Sequence, residues 1–411
     1  MISVQNHRQL LSGNKSWLIF TFGLLISACS PKIKPEVKAT SQEPKKIEAK
    51  VEKPATKFTE ATISLLLPFR LNSLNLKSAT KADVERSAMA IDFYQGFKMG
   101  IDSATASPGL NFTLKVHDTR DNNSQIEGLM QQGKLLNSNL IVGPVFPEGL
   151  KHIRDYAVAK NILIVNPLAA THPKEFNNPK MISIVNNVDL HAEKIGNHII
   201  KHYTPNQTVI VLINPATAEN ELMASPLRKF FEDPKKPFFF QEFASVFTME
   251  MKLIKNKKYV IMLTSSDRKF VIATIDKLIK LKNAGLSVDL FGHPDWTKQS
   301  YNTDKLQALN TVVTSSYKID YARKDVNNFI KAYRSKFHFE PGEYAFKGFD
   351  IGIYFAKLIA KHGVNYYQFL TKENHQGLQS NFVFQYDAKQ GYINTSVMLL
   401  RYQNFALNSI E

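Results

Sequence analysis

Among 411 residues there is one cysteine, Cys29, and two tryptophans. With a single thiol the chain can close no internal disulfide, so its folded part rests on an apolar core alone. No run of five Lys or Arg occurs, which leaves nucleic acid without the basic tract it would call for. The nucleophile elbow, HExxH, EF-hand loop and cysteine cluster are all missing, and catalysis, metal and cofactor are therefore without positive support. We read the sequence as a binding protein rather than an enzyme.

Three weaker signals do not change that reading. Gly128-x4-Gly133-Lys134 imitates a phosphate loop, but Leu135 stands where Ser or Thr must reach a metal. His198 and His202 have metal-pair spacing, and with His191 they lie on one helical stretch without a nearby acid at fixed spacing, so they are expected on a solvated surface. Asp118 and Asp121 follow a strand, where short acids more often cap a turn than transfer protons.

What is present begins with an export signal. Arg8 and Lys15 precede a short apolar run, 17–26, and Ser27-Ala28 then lead into Cys29. The order is that of a signal peptide, and the run is shorter than the about 20 residues that span a bilayer. The cysteine placed after small residues resembles the lipobox of bacterial lipoproteins. That resemblance implies removal of 1–28, lipids on Cys29 and attachment to a membrane. Ser30 lacks the acidic character that retains some lipoproteins at the inner membrane, which favours the outer one.

From 29 to about 60 the chain turns to Pro, Lys, Glu, Thr and Ala, with Pro31, Pro35, Pro44 and Pro54 along it. It has too little apolar surface to order itself, and as a coil it spans on the order of 30 Å. The formal charge of +16 favours anionic surroundings such as lipid head groups or envelope polysaccharide, without bearing on fold.

Beyond the tether, short apolar runs at 63–68, 112–116, 140–142 and 162–165 alternate with helical patterns at 88–104, 124–136 and 148–159. After 181–185 the alternation restarts: helix 189–203, strands 209–213, 238–243 and 259–263, helix 268–281, then strands 288–291 and 311–314. Two helices, 326–337 and 344–362, precede runs at 382–386 and 396–402, which flank a turn-rich 387–391 and suggest a hairpin. Strand and helix in alternation require parallel pairing through right-handed crossovers. The fold class is α/β, with two doubly wound, Rossmann-like lobes.

Leu65-Leu-Leu-Pro68, Ile141-Val-Gly-Pro144, Ile164-Val-Asn-Pro167, Glu340-Pro-Gly-Glu-Tyr-Ala345 with Gly348-Phe-Asp350, and the Phe-x-Tyr-Asp-x-x-x-Gly ending at Gly391 together resemble the type I periplasmic-binding fold. The branch is that of the leucine and branched-chain amino-acid binding proteins of ABC importers. The resemblance covers 61–405. It implies three chain crossings, near 184–187, 314–317 and 376–381, and hence lobe one at about 61–185 and 316–378 and lobe two at about 186–315 and 379–405. It also implies a small-molecule ligand in the cleft and an ABC permease as partner. Some lipoproteins of this fold resemble regulators of peptidoglycan synthesis that bind a penicillin-binding protein, which is the alternative.

Open parallel sheets bind ligands beyond the C-terminal ends of their strands. In lobe one that rule selects Arg70, Asp118, Val145, Phe146, Ala169, Ala170 and Thr171; in lobe two it selects Thr264, Ser265, Asp295 and Trp296. Against the family, the loop after Pro144 carries Val-Phe-Pro-Glu in place of serines, which weakens capture of an α-carboxylate. Asp295 corresponds to the acid that accepts a ligand ammonium. Arg70 is an added fork of donors for an anion.

Overall fold

The computed structural model describes residues 58–73, 77–78, 80–104 and 110–410. The signal peptide, Cys29 and nearly all of the tether lie outside the described residues. The first strand, β1 (Glu60–Leu67), has five consecutive buried residues at its end, as a strand covered on both faces should. It is followed by α1 (Lys81–Ala104), β2 (Asn111–Asp118), α2 (Asn123–Gln131), β3 (Leu140–Val142), α3 (Pro147–His152), α4 (Arg154–Lys160), β4 (Leu163–Asn166) and β5 (Met181–Ser183). The helix expected at 148–159 is thus two, broken at Ile153, and within 181–185 a strand forms at Met181–Ser183.

The second lobe runs through α5 (Val188–His202), β6 (Thr208–Ile213), α6 (Ala218–Phe231), β7 (Phe239–Phe243), α7 (Val246–Glu250), β8 (Lys258–Leu263), α8 (Arg268–Asn283), β9 (Ser287–Gly292), α9 (Thr303–Ala308) and β10 (Val312–Ser315). The chain then returns to lobe one with α10 (Lys324–Phe337), α11 (Glu343–His362), the small ladder of β11 (His375–Gln376) and β12 (Asn381–Phe382), and the hairpin of β13 (Phe384–Asp387) and β14 (Gly391–Asn394). It ends in lobe two with β15 (Met398–Gln403) and β16 (Ala406–Ser409).

Each lobe is built on a seven-stranded sheet, in the orders β13-β14-β5-β4-β3-β1-β2 and β16-β15-β10-β9-β8-β6-β7. Pairing is parallel except at the edges formed by β13 in one lobe and by β15 and β16 in the other. Lobe one has a core on each face of its sheet, one against α1 and α11 around Phe93, Phe97 and Phe355 and one against α2, α3 and α4 around Ile126, Leu150 and Phe176. Lobe two has a core on each face of its sheet, one around Trp296 and one around Phe231 and Phe291.

The chain passes between lobes at 184–187, at 316–323 and at 395–397. The third position corrects the expectation of 376–381, and 379–394 belong to lobe one. Both hairpin arms lie in the lobe-one sheet, because the Asp387 carboxylate accepts the Lys389 and Gln390 N–H groups (2.8 and 2.9 Å) and turns the chain at once into β14. The run 396–402 therefore pairs with β10 rather than with 382–386. Asn394 ends the hairpin. Its amide donates to the Ile184 and Asn381 carbonyls and accepts from Val383 and Ser396, while Asn186 donates to the Asn394 carbonyl, so the first and third crossings are sewn together.

Candidate functional site

At the carboxyl edge of lobe one the loops are held by their own acids. Asp118 accepts backbone N–H bonds from Arg70 (3.0 Å), Leu71 (2.8 Å) and Arg120 (2.9 Å), which joins the β1 and β2 loops. Its carboxylate organises backbone, as a short acid after a strand should. Arg70 sits at φ 57 and its guanidinium reaches Asp121 at 3.1 Å. Val145 is buried in the lobe-one core, whereas Phe146 is exposed at the start of α3. Thr119, Asp121, Asn122, Phe146 and Glu148 line a shallow pocket of about 290 Å3.

After β4, the buried Asn166 side chain clasps Ala169, donating to its carbonyl (2.8 Å) and accepting its N–H (3.0 Å). This shapes a loop on which Ala170 is exposed and Thr171 half-buried. The next residue, His172, reaches across to lobe two, where its Nε2 lies 3.2 Å from Asp189 in the first turn of α5.

In lobe two most of the selected side chains turn inward. Thr264 donates both its N–H and its hydroxyl to the Ile213 carbonyl and is buried. Buried Ser265 accepts the Asp267 N–H on Oγ and the Trp296 Nε1–H on its carbonyl. Trp296 is fully enclosed in the lobe-two core and offers no face to a ligand. Asp295 stays half-exposed, 3.6 Å from His293 and 3.4 Å from Lys298.

The structure gathers a different set of polar groups where the lobes meet. Lys347, on the second turn of α11, has a side chain only 11% exposed. Its ammonium lies 4.1 Å from the centre of the Tyr317 ring and 5.1 Å from that of Tyr344, with the nearest Glu343 oxygen at 3.8 Å. Aromatic faces of this kind attract a desolvated cation. Burial holds its pKa below the usual lysine value, Glu343 opposes that shift, and Lys298 from lobe two adds to it. Burial first, and the Glu343 carboxylate second, push the Tyr317 and Tyr344 phenols up.

His191, on the first turn of α5, is buried and meets the Ser316 hydroxyl at 3.3 Å, while its Nδ1 has no hydrogen-bond partner. Burial, reinforced by His293, brings its pKa down to about 3, so the ring is neutral. His293 is lowered by burial too, against Asp295. A cavity of about 10 Å3 lined by Pro167, Val185, Ser316, Tyr317, Lys347 and Ser380 marks the hinge side of the cleft, room for about one water.

His191 and His198 are thus buried rather than solvated, and the His198 ring lies tilted against that of His202, 4.3 Å between centroids. Among the described residues no group of three or more His, Cys, Asp or Glu could hold a metal ion, and no helix is long and apolar enough to cross a membrane. The sequence rule looked only at strand ends and reached Asp295 of this cluster but not Lys347, Glu343, Tyr317 or His191. One signal for it existed, a lone lysine at 347 inside an otherwise apolar stretch of α11.

No family model matches this chain, and no curated protein matches it. Solved structures do. A protein described as a branched-chain amino acid ABC transporter from Rhodospirillum rubrum aligns over 85% of this chain and 100% of its own, at 14% identity and a TM-score of 0.63. An ABC transporter substrate-binding protein from Desulfitobacterium hafniense in complex with Leu aligns over 85% and 100%, at 14% identity and a TM-score of 0.52. Full-length LpoA from Haemophilus influenzae aligns over 86% of this chain and 60% of its own, at 14% identity and a TM-score of 0.56. At such identities the likeness is one of fold, and the fold is the type I periplasmic-binding fold.

Proposed function

We propose that this chain is an extracytoplasmic binding protein, held to the outer membrane by lipid on Cys29, whose two lobes close on a small dipolar solute. The observation that carries the reading is the hinge cluster, where Lys347 and Glu343 of one lobe face Asp295 and Lys298 of the other. Groups of both signs in a partly desolvated cleft suit a ligand that itself carries both, such as an amino acid or short peptide. Lobe closure would then follow the ligand's differential affinity for the closed form, and delivery to an ABC permease or signalling of the ligand's presence would follow closure.

The test is thermal unfolding in the presence of amino acids, short peptides and muropeptides. A specific ligand raises the midpoint by an amount that grows with its concentration over its Kd, and the rise should vanish in Lys347→Met. No stabilisation by any member of the panel would defeat the solute-receptor reading.

A second reading is favoured by the likeness to LpoA and by the small hinge cavity. In it the tethered domain touches a penicillin-binding protein and regulates peptidoglycan synthesis without a small ligand. Recovery of a murein synthase rather than a permease with the purified chain would decide for it.

A further inference from the structure

The amino edge of lobe two, where β8 and β9 begin, holds an open groove of about 750 Å3 between the loop 253–258 and the end of α8 with the turn 284–287. Leu253, Ile254 and Leu286 give it an apolar floor, and Lys255, Lys257 and Lys258 stand around it. No acid is among the residues that line it. A Cβ at Gly285 would meet nothing within 4 Å, so the groove is clear on the α8 side.

The loop is pinned. Ile254 donates its N–H to the Tyr259 hydroxyl (2.6 Å), and the Lys257 ammonium donates to the Asn206 carbonyl (2.5 Å). Lys258 is matched by Asp289 at 2.8 Å. Lys255 is exposed, as are Lys252 on the same loop and Lys280 in the last turns of α8, so the groove sits in a field of one sign. Met251 is 75% exposed and Ile254 40% exposed in the midst of these lysines. Apolar surface left in water and rimmed by charge marks an interaction site.

The two features together select the partner. A purely anionic polymer would leave Ile254 and Met251 in water, whereas an acidic segment with apolar side chains matches floor and rim at once. Position argues against a bilayer. β1 begins at Glu60 on the amino edge of lobe one, and the carboxyl edges of both sheets look into the cleft, so the groove and the entry of the tether lie at opposite poles. A chain anchored at Cys29, as proposed above, carries the groove on the end remote from its anchor.

We propose that this groove is a docking surface, separate from the cleft, for an acidic amphipathic segment of a partner protein. Its carboxylates pair with Lys255 and Lys257, and its apolar side chains cover Ile254 and Leu286.

The test titrates the full chain into a labelled peptide of alternating Glu and Leu, and into a poly-glutamate peptide of equal charge, by fluorescence anisotropy; vesicles of phosphatidylglycerol form a third arm. Expected is binding of the Glu/Leu peptide at least about tenfold tighter than that of poly-glutamate, the contribution of the apolar floor. Lys255→Glu with Lys257→Glu should weaken it about tenfold or more, and Ala284→Trp, at an exposed position on the groove, should abolish it with the melting midpoint unchanged. Lys331→Glu, on exposed α10 of lobe one, should leave it within about twofold. Equal affinity for the two peptides, undiminished binding to Ala284→Trp, or a loss in Lys331→Glu as large as that from the groove lysines overturns the proposal. So does vesicle binding that is tighter than peptide binding and lost in the same groove variants, which would make the occupant a membrane.

Discussion

His191 is a base kept neutral by its surroundings, and that has a measurable pH signature. Its folded-state value of about 3 lies below the ordinary 6.5, so the folded state resists a proton that the unfolded chain takes up. Its contribution is full above pH 6.5 and is lost as pH falls toward 3, amounting to about 2 kcal/mol at pH 5. Asp350 acts with the opposite sign. Burial lifts its carboxyl to about 6 against three backbone N–H bonds, so its contribution is full below pH 4 and lost as pH rises through 6. The two windows overlap, and only the difference between wild type and His191→Gln isolates the histidine. In urea unfolding, wild type should lose about 2 kcal/mol relative to the variant between pH 7.5 and pH 5; a flat difference would mean that the ring is solvated. None of this was legible in the sequence. The spacing of 191, 198 and 202 identified a helix face but not which face the second lobe would cover, and likewise Thr264 and Trp296 were correctly placed at strand ends while the direction of their side chains depended on tertiary packing.

At the scale of elements, α1 and α11 pack with their backbones in close approach, and glycine makes that possible. A Cβ at Gly96 would lie 1.9 Å from the Ala345 carbonyl oxygen, one at Gly348 2.2 Å from that of Phe93, and one at Gly352 2.4 Å from that of Phe97. The obstacle in each case is helix backbone, which cannot swing away as a side chain can. Gly348→Ala should therefore cost several kcal/mol, toward the upper end of overpacking effects of about 1–3 kcal/mol. Gly128 on α2 provides the contrast, for its nearest neighbour would be the Gln132 side chain at 3.9 Å; Ala there should stabilise by about 0.5–1 kcal/mol, because glycine in a helix interior loses the most chain entropy. Denaturant midpoints of the two variants moving in the same direction would contradict this account. Elements of this kind were the legible part of the chain. The apolar runs that became β1, β4, β6 and β8 are buried on both faces and so read without ambiguity, and Gly128 was recognised as a helix residue rather than a phosphate loop. The last hairpin misled because 396–402 is as apolar as a partner for 382–386 would be, and period alone does not say which sheet an apolar run joins.

Neither lobe is a continuous stretch of chain, so the stability of the whole depends on how the crossings are joined. Lobe one loses β13 and β14, and lobe two loses β15 and β16, unless the third crossing leaves the sheet at the right residue. Asn394 fixes that residue. It is 1% exposed, and its amide satisfies two carbonyls and two N–H groups drawn from the first crossing, the β12 region and the third crossing. Removal of the amide leaves several buried polar groups unpaired at about 1–3 kcal/mol each before relaxation. Asn394→Asp keeps the acceptor half and loses the donors, so it separates the two contributions. Expected in calorimetry is one transition for wild type, with matching calorimetric and van't Hoff enthalpies, and for Asn394→Ala a van't Hoff value below the calorimetric one as the lobes begin to melt separately. The aspartate variant should fall between them. If alanine lowers the midpoint while the two enthalpies stay equal, the crossings act only as local packing and the lobes are coupled elsewhere, through contacts such as His172 with Asp189. An exposed pair of that kind contributes roughly 0–1 kcal/mol, too little to hold two seven-stranded lobes in one cooperative unit, which is why the coupling is assigned to the buried asparagines.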